Sequence, residues 1–97
     1  MIITLCGSTK FKTQFLEQAK RLTLLGDIVL MPHVFMHDGD FISDEQKEKL
    51  DKLHKQKIDL SDGILVLNIN GYIGNSTKSE IEYAKKHDKT IMYLEEV

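Results

Sequence analysis

Ile64-Leu65-Val66-Leu67 is the stretch on which the fold turns. Four apolar residues follow one another with no polar alternation, the pattern of a strand covered on both faces. Such a strand belongs inside a parallel sheet with helices on either side. Upstream, Ser43-Asp44-Glu45-Gln46 fits a capping box. The helix it opens carries Leu50, Leu53 and Leu60, read as one apolar face, and runs to about Ser61. Downstream, residues 68–76 are rich in Gly and Asn and read as a loop. Thr77-Lys78-Ser79-Glu80 fits a second capping box, and its helix continues through Ile81, Ala84 and Lys85. Thr90-Ile91-Met92-Tyr93-Leu94 then reads as a strand.

The amino-terminal half repeats the alternation. Ile2-Ile3-Thr4-Leu5-Cys6 is a β-rich run that stops at Gly7-Ser8-Thr9, a turn and helix-cap cluster. From Phe11 the spacing of Phe11, Phe15, Ala19 and Leu22, with Leu16 alongside, is that of a half-buried helix, and Gly26 ends it. Ile28-Val29-Leu30-Met31 is a strand closed by Pro32, and residues 32–42 have no period and read as a loop. Strands separated by helix-length segments pair in parallel through right-handed crossovers. The expectation is α/β: a single small doubly wound domain over residues 1–97, with a four-stranded parallel sheet flanked by helices, Rossmann- or flavodoxin-like.

Composition narrows the function. The apolar and charged fractions, 41% and 29% of 97 residues, are those of a folded globular protein. A formal charge of −2 argues against a partner held by phosphate neutralisation, so no nucleic acid polymer is expected. No apolar run approaches a membrane span, and no basic segment precedes the first strand as in a signal peptide. Cys6 is the only cysteine, which suits a reducing compartment. The reading is a cytoplasmic protein with no membrane partner, small enough that self-association would help its stability.

In open parallel sheets, ligands bind beyond the carboxyl ends of the strands. Residues 7–10, 32–42 and 68–77 fall there. Gly7, Ser8 and Thr9 open a helix whose N–H groups and dipole favour an anion, although the run is neither a Walker A loop nor a dinucleotide fingerprint. The plain alternative is a turn capped by Ser8 or Thr9. Gly74, Asn75 and Ser76 sit in a loop longer than a crossover needs, with glycines that let a backbone approach a ligand and side chains that bind oxygens. Glu80, just beyond it, is placed to attack an electrophilic carbon or to complete the cap with Thr77. His33 and His37, beside Asp38 and Asp40, have a metal-ligand spacing that works only on a helix. Pro32 and Gly39 argue against one, so no metal is expected. His54 and Asp59 lie on the helix before the central strand, where a solvated surface is the default.

Three of these pieces together resemble the nucleoside 2-deoxyribosyltransferase-like superfamily, which includes deoxynucleoside 5′-monophosphate N-glycosidases. They are Ile3-Thr4-Leu5-Cys6-Gly7-Ser8, Ser61-Asp62 leading into Ile64–Leu67, and the stretch from Gly74 to Ala84 containing Glu80. The resemblance implies that Glu80 attacks the anomeric carbon of a 2-deoxyribosyl group while a second acid helps the base leave. The covalent sugar then passes to water or another base. It implies no cofactor, a nucleoside or nucleotide substrate and a homo-oligomer. The helper acid falls near His54 in an ungapped match and at Asp59 in a gapped one. Thr4 stands where catalytic members often carry tyrosine, and Glu82 where glycine is usual. The alternative is a non-catalytic nucleotide-binding module of the same fold, and a third reading is a partner subunit with a vestigial crevice.

Overall fold

The computed structural model describes residues 1–32 and 43–96. Four strands, β1 (Ile2–Cys6), β2 (Ile28–Leu30), β3 (Gly63–Val66) and β4 (Thr90–Tyr93), form one parallel sheet in the order β2-β1-β3-β4. Every neighbouring pair is parallel, with Thr4 opposite both Leu30 and Ile64, and Leu65 opposite Met92. Helices α1 (Lys12–Leu24), α2 (Asp44–Leu60) and α3 (Asn75–Lys86) lie between them in the chain. The order reverses between β1 and β3, so a crevice opens at their carboxyl ends.

Strand periodicity sorts the core into two layers. Ile3, Leu5, Leu65 and Leu67 point to one face and pack with Phe15 and Leu22 of α1. Cys6, Ile64 and Val66 point to the other, against Ile58 of α2 and Ile81 and Ala84 of α3. That is the doubly wound arrangement expected. β3 begins and ends one residue earlier than the apolar run, although the Leu67 N–H still donates to the Cys6 carbonyl at 2.8 Å.

Helix ends follow local chemistry in two cases and depart from it in a third. Gly26 takes φ +96° after α1, and its N–H donates to the Thr23 carbonyl at 3.0 Å, a left-handed stop that suits glycine. Ser43 and Gln46 make the reciprocal capping box at α2. The second expected box does not form. Helix α3 starts two residues before Thr77, with Gly74 at its cap, so Thr77 is a buried first-turn residue and Glu80 falls in the second turn. A glycine at the cap and the polar pair Asn75-Ser76 in the first turn let the helix begin early.

The face assigned to α2 also changes. Leu53 and Leu60 are exposed, while His54 and Ile58 are the buried residues. On a helix advancing 100° per residue, Leu53 and Leu60 stand roughly 100–120° from His54, whereas Lys47, Leu50, Asp51 and Ile58 lie within about 60° of it. The sheet beneath presents Thr4 and Cys6, and the inward-turned His54 meets the Cys6 thiol. The Thr4 hydroxyl bonds to Ser61 and donates to the Lys57 carbonyl at 3.1 Å. No helix among the described residues is long and apolar enough to cross a membrane.

Candidate functional site

The pocket lies at the carboxyl ends of β1 and β3 and has a volume of about 410 Å³. Small-molecule sites run from roughly 300 to 1,000 Å³, so it is large enough for a compact ligand. Its walls come from three places. Gly7, Ser8 and Thr9 follow β1; Gly74, Asn75 and Ser76 open α3; Lys47, Asp51 and His54 come from α2. All six residues expected to bind substrate therefore line one cavity, and Glu80 lines it with them.

Each wall has a physical reason for its place. Gly7 fits a tight place, since a Cβ there would stand 3.2 Å from Leu67 Cβ and 3.3 Å from the Phe15 ring. Ser8 caps the short 3-10 turn Thr9–Phe11 by accepting from the Lys10 N–H at 3.3 Å. No side chain caps α3, whose first-turn N–H groups and positive dipole end meet the pocket. Tyr72 forms part of the rim, set edge-on to Phe11 at 6.0 Å between ring centroids, with the Lys10 ammonium 3.6 Å from its own ring centre.

Glu80 meets two other reactive side chains. Its Oε1 lies 3.5 Å from His54 Nε2, which in turn lies 3.5 Å from Cys6 Sγ. The glutamate side chain is 12% exposed and the histidine 4%. Burial pushes the Glu80 carboxyl from 4.5 to about 7, against a hydrogen bond from the Cys6 thiol that lowers it. The Asp51 carboxylate adds to the rise and the Lys55 ammonium opposes it. Burial, then the neighbouring Glu80 carboxylate, holds the Cys6 thiol well above 9.0. The site thus joins a tunable carboxyl group, an imidazole and a protonated thiol.

Asp59 is not part of this cluster. It is exposed, accepts the Tyr83 hydroxyl at 2.7 Å and offers its carbonyl to Lys89 Nζ at 3.1 Å. Five residues beyond His54, it stands about 140° around the helix from the pocket face. His54, the ungapped candidate, takes the place beside Glu80. Lys47 and Asp51 were not singled out from sequence. Their places, seven and three residues ahead of His54, are the signal that puts them on one face. His33, His37, Asp38 and Asp40 lie outside the described residues.

Fold and site together define a small parallel α/β domain with a carboxyl-end crevice built around a glutamate. A family model described as a domain of unknown function, DUF4406, matches residues 4–93, and the chain belongs to that family. The match takes in β2, β3, β4, the last three residues of β1 and every residue lining the pocket. No curated protein matches the chain.

Proposed function

We propose that the protein cleaves or transfers the N-glycosidic bond of a nucleoside or nucleotide, with Glu80 as nucleophile. The observation that carries this reading is a largely buried carboxyl group in a pocket whose walls include two backbone segments at strand and helix ends, residues 7–9 and 74–76. The resemblance to nucleoside 2-deoxyribosyltransferase-like proteins supports the same assignment. The α3 N-terminus and the segment after β1 favour a phosphate or sugar oxygens, and the rim Tyr72 offers an aromatic face to the base.

In this reading the Glu80 carboxylate attacks C1′, the C1′–N bond breaks, and its electron pair leaves on the base. The base takes a proton from His54, on the pocket face of α2. Water, or a second base, then attacks C1′ of the glycosyl ester and frees Glu80. The chain's own residues suffice for these steps. Leu53 and Leu60, exposed on α2, support a homo-oligomer.

One observation favours the non-catalytic binding module. Thr4 stands where a tyrosine often holds the nucleophile, and its hydroxyl is engaged by Ser61 and the Lys57 carbonyl. Common deoxynucleosides and their 5′-monophosphates, incubated with the protein with and without a free base, separate the readings by chromatography. Base release or exchange that falls at least roughly 10³-fold in Glu80→Gln supports the enzyme. No release, with ligands still raising Tm, supports the binding module.

A further inference from the structure

Three donors of different chemistry converge at the base of the pocket from three separate elements, His54 and Glu80 lining it and Cys6 buried beside them. Cys6 comes from the end of β1, His54 from α2 and Glu80 from α3. His54 Nε2 is 3.5 Å from Cys6 Sγ and 3.5 Å from Glu80 Oε1, and all three donor atoms lie within 4.8 Å of one another. Around a tetrahedral Zn²⁺, with Zn–S of about 2.3 Å and Zn–N or Zn–O of about 2.0–2.1 Å, ligand atoms stand roughly 3.3–3.6 Å apart. Both separations at the imidazole fall in that interval, and a modest movement of the Glu80 carboxylate brings the third in.

We propose that Cys6, His54 and Glu80 form a three-ligand site for Zn²⁺, with a fourth position open to the pocket. The donor set selects the cation. A thiolate and an imidazole suit Zn²⁺ and are poor partners for Mg²⁺ or Ca²⁺, which take oxygen ligands. Binding releases the Cys6 thiol proton to solvent, with His54 coordinating as neutral imidazole and Glu80 as carboxylate, so affinity rises with pH. Three ligands with an open position describe an exchangeable site rather than the closed four-ligand kind.

The site shares Glu80 with the glycosyl reading but stands without it. A carboxylate oxygen held by a cation does not attack carbon, so the metal-loaded and nucleophilic states exclude each other. Zn²⁺ then acts as an inhibitor of the glycosyl chemistry.

The test is a Co²⁺ titration of the chelator-stripped chain. Co²⁺ replaces Zn²⁺ and reports a thiolate ligand through intense near-ultraviolet charge-transfer absorption. The expected result is saturation at one equivalent, displacement by Zn²⁺, and loss of the band in a Cys6→Ser variant with an unchanged circular dichroism spectrum. His54→Ala should bind at least roughly 100-fold more weakly, and Glu80→Gln, which keeps the side-chain shape, supplies a third variant should Cys6→Ser not fold. No charge-transfer band in the unaltered protein, or an equal band in Cys6→Ser, overturns the proposal. Base release measured in the same chelated samples keeps the two readings apart. A cobalt band without release leaves the metal site and removes the nucleophile, and release without a band does the reverse.

Discussion

The two faces of the sheet are built by different rules. The α1 face packs Ile3, Leu5, Phe15, Leu22, Leu65 and Leu67 into one apolar cluster. The opposite face sets Ile58, Ile64, Val66 and Ile81 beside Thr4, Cys6, His54 and Ser61, all of them buried. Polar groups cost stability when buried, so a small domain carries them only where partners satisfy them or chemistry uses them. One face supplies cohesion, and the other gives up some cohesion to assemble a pocket.

Breaking the difference outright needs one change on each side. Glu80→Gln should lower base release at least roughly 10³-fold, read by chromatography, while leaving the circular dichroism spectrum in place. Phe15→Ala on the α1 face should do the opposite, costing on the order of 3–5 kcal/mol in denaturant unfolding. In a domain this small that loss approaches the whole margin of stability. If Phe15→Ala were tolerated, the α1 face would not be the source of cohesion.

A third measurement sharpens the cost of the pocket. Burial raises the Glu80 carboxyl to about 7 in the folded chain, above its unfolded value near 4.5. The folded state therefore holds this proton more tightly, and the stability it contributes is present below pH 4.5 and lost as pH rises through 7. With a chelator present, Glu80→Gln should be more stable than the unaltered protein at pH 8, by on the order of 2–3 kcal/mol. The gap should close as pH falls toward 4.5. A gap independent of pH would show that burial does not tax the ionised carboxylate.

Smaller effects mark features outside both faces. Ser43→Ala removes the α2 cap and should cost about 1 kcal/mol in thermal unfolding. Leu53→Gln, on the exposed side of α2, should change monomer stability by less than about 0.5 kcal/mol. If it alters the oligomeric state in analytical ultracentrifugation, that side of α2 is a subunit contact.

Residues whose role depends on neighbours in the chain were legible in the sequence. The uninterrupted run 64–67 marks a doubly covered strand, and Ser43 with Gln46 marks a helix start, because both signals are local hydrogen-bonding or burial patterns. Gly7, Ser8, Thr9, Gly74, Asn75, Ser76 and Glu80 were legible as residues lining the crevice because parallel α/β sheets open it at the strand ends. The Thr77–Glu80 box misleads because hydroxyl-x-x-carboxylate spacing also occurs one turn inside a helix whose true cap is Gly74.

The order of elements, the parallel pairing and the place of the crevice were determined by the sequence alone, since periodicity and connection length leave few topologies. Tertiary structure decided which side of α2 turns inward. Leucines at 53 and 60 are the more hydrophobic choice, yet the buried residues are His54, which meets Cys6 of β1 and Glu80 of α3, and Ile58. It also decided that Cys6, His54 and Glu80, separated by 48 and 26 positions in the chain, meet within 4.8 Å of one another. No local pattern encodes that meeting, because it depends on the relative placement of a strand and two helices packed on it.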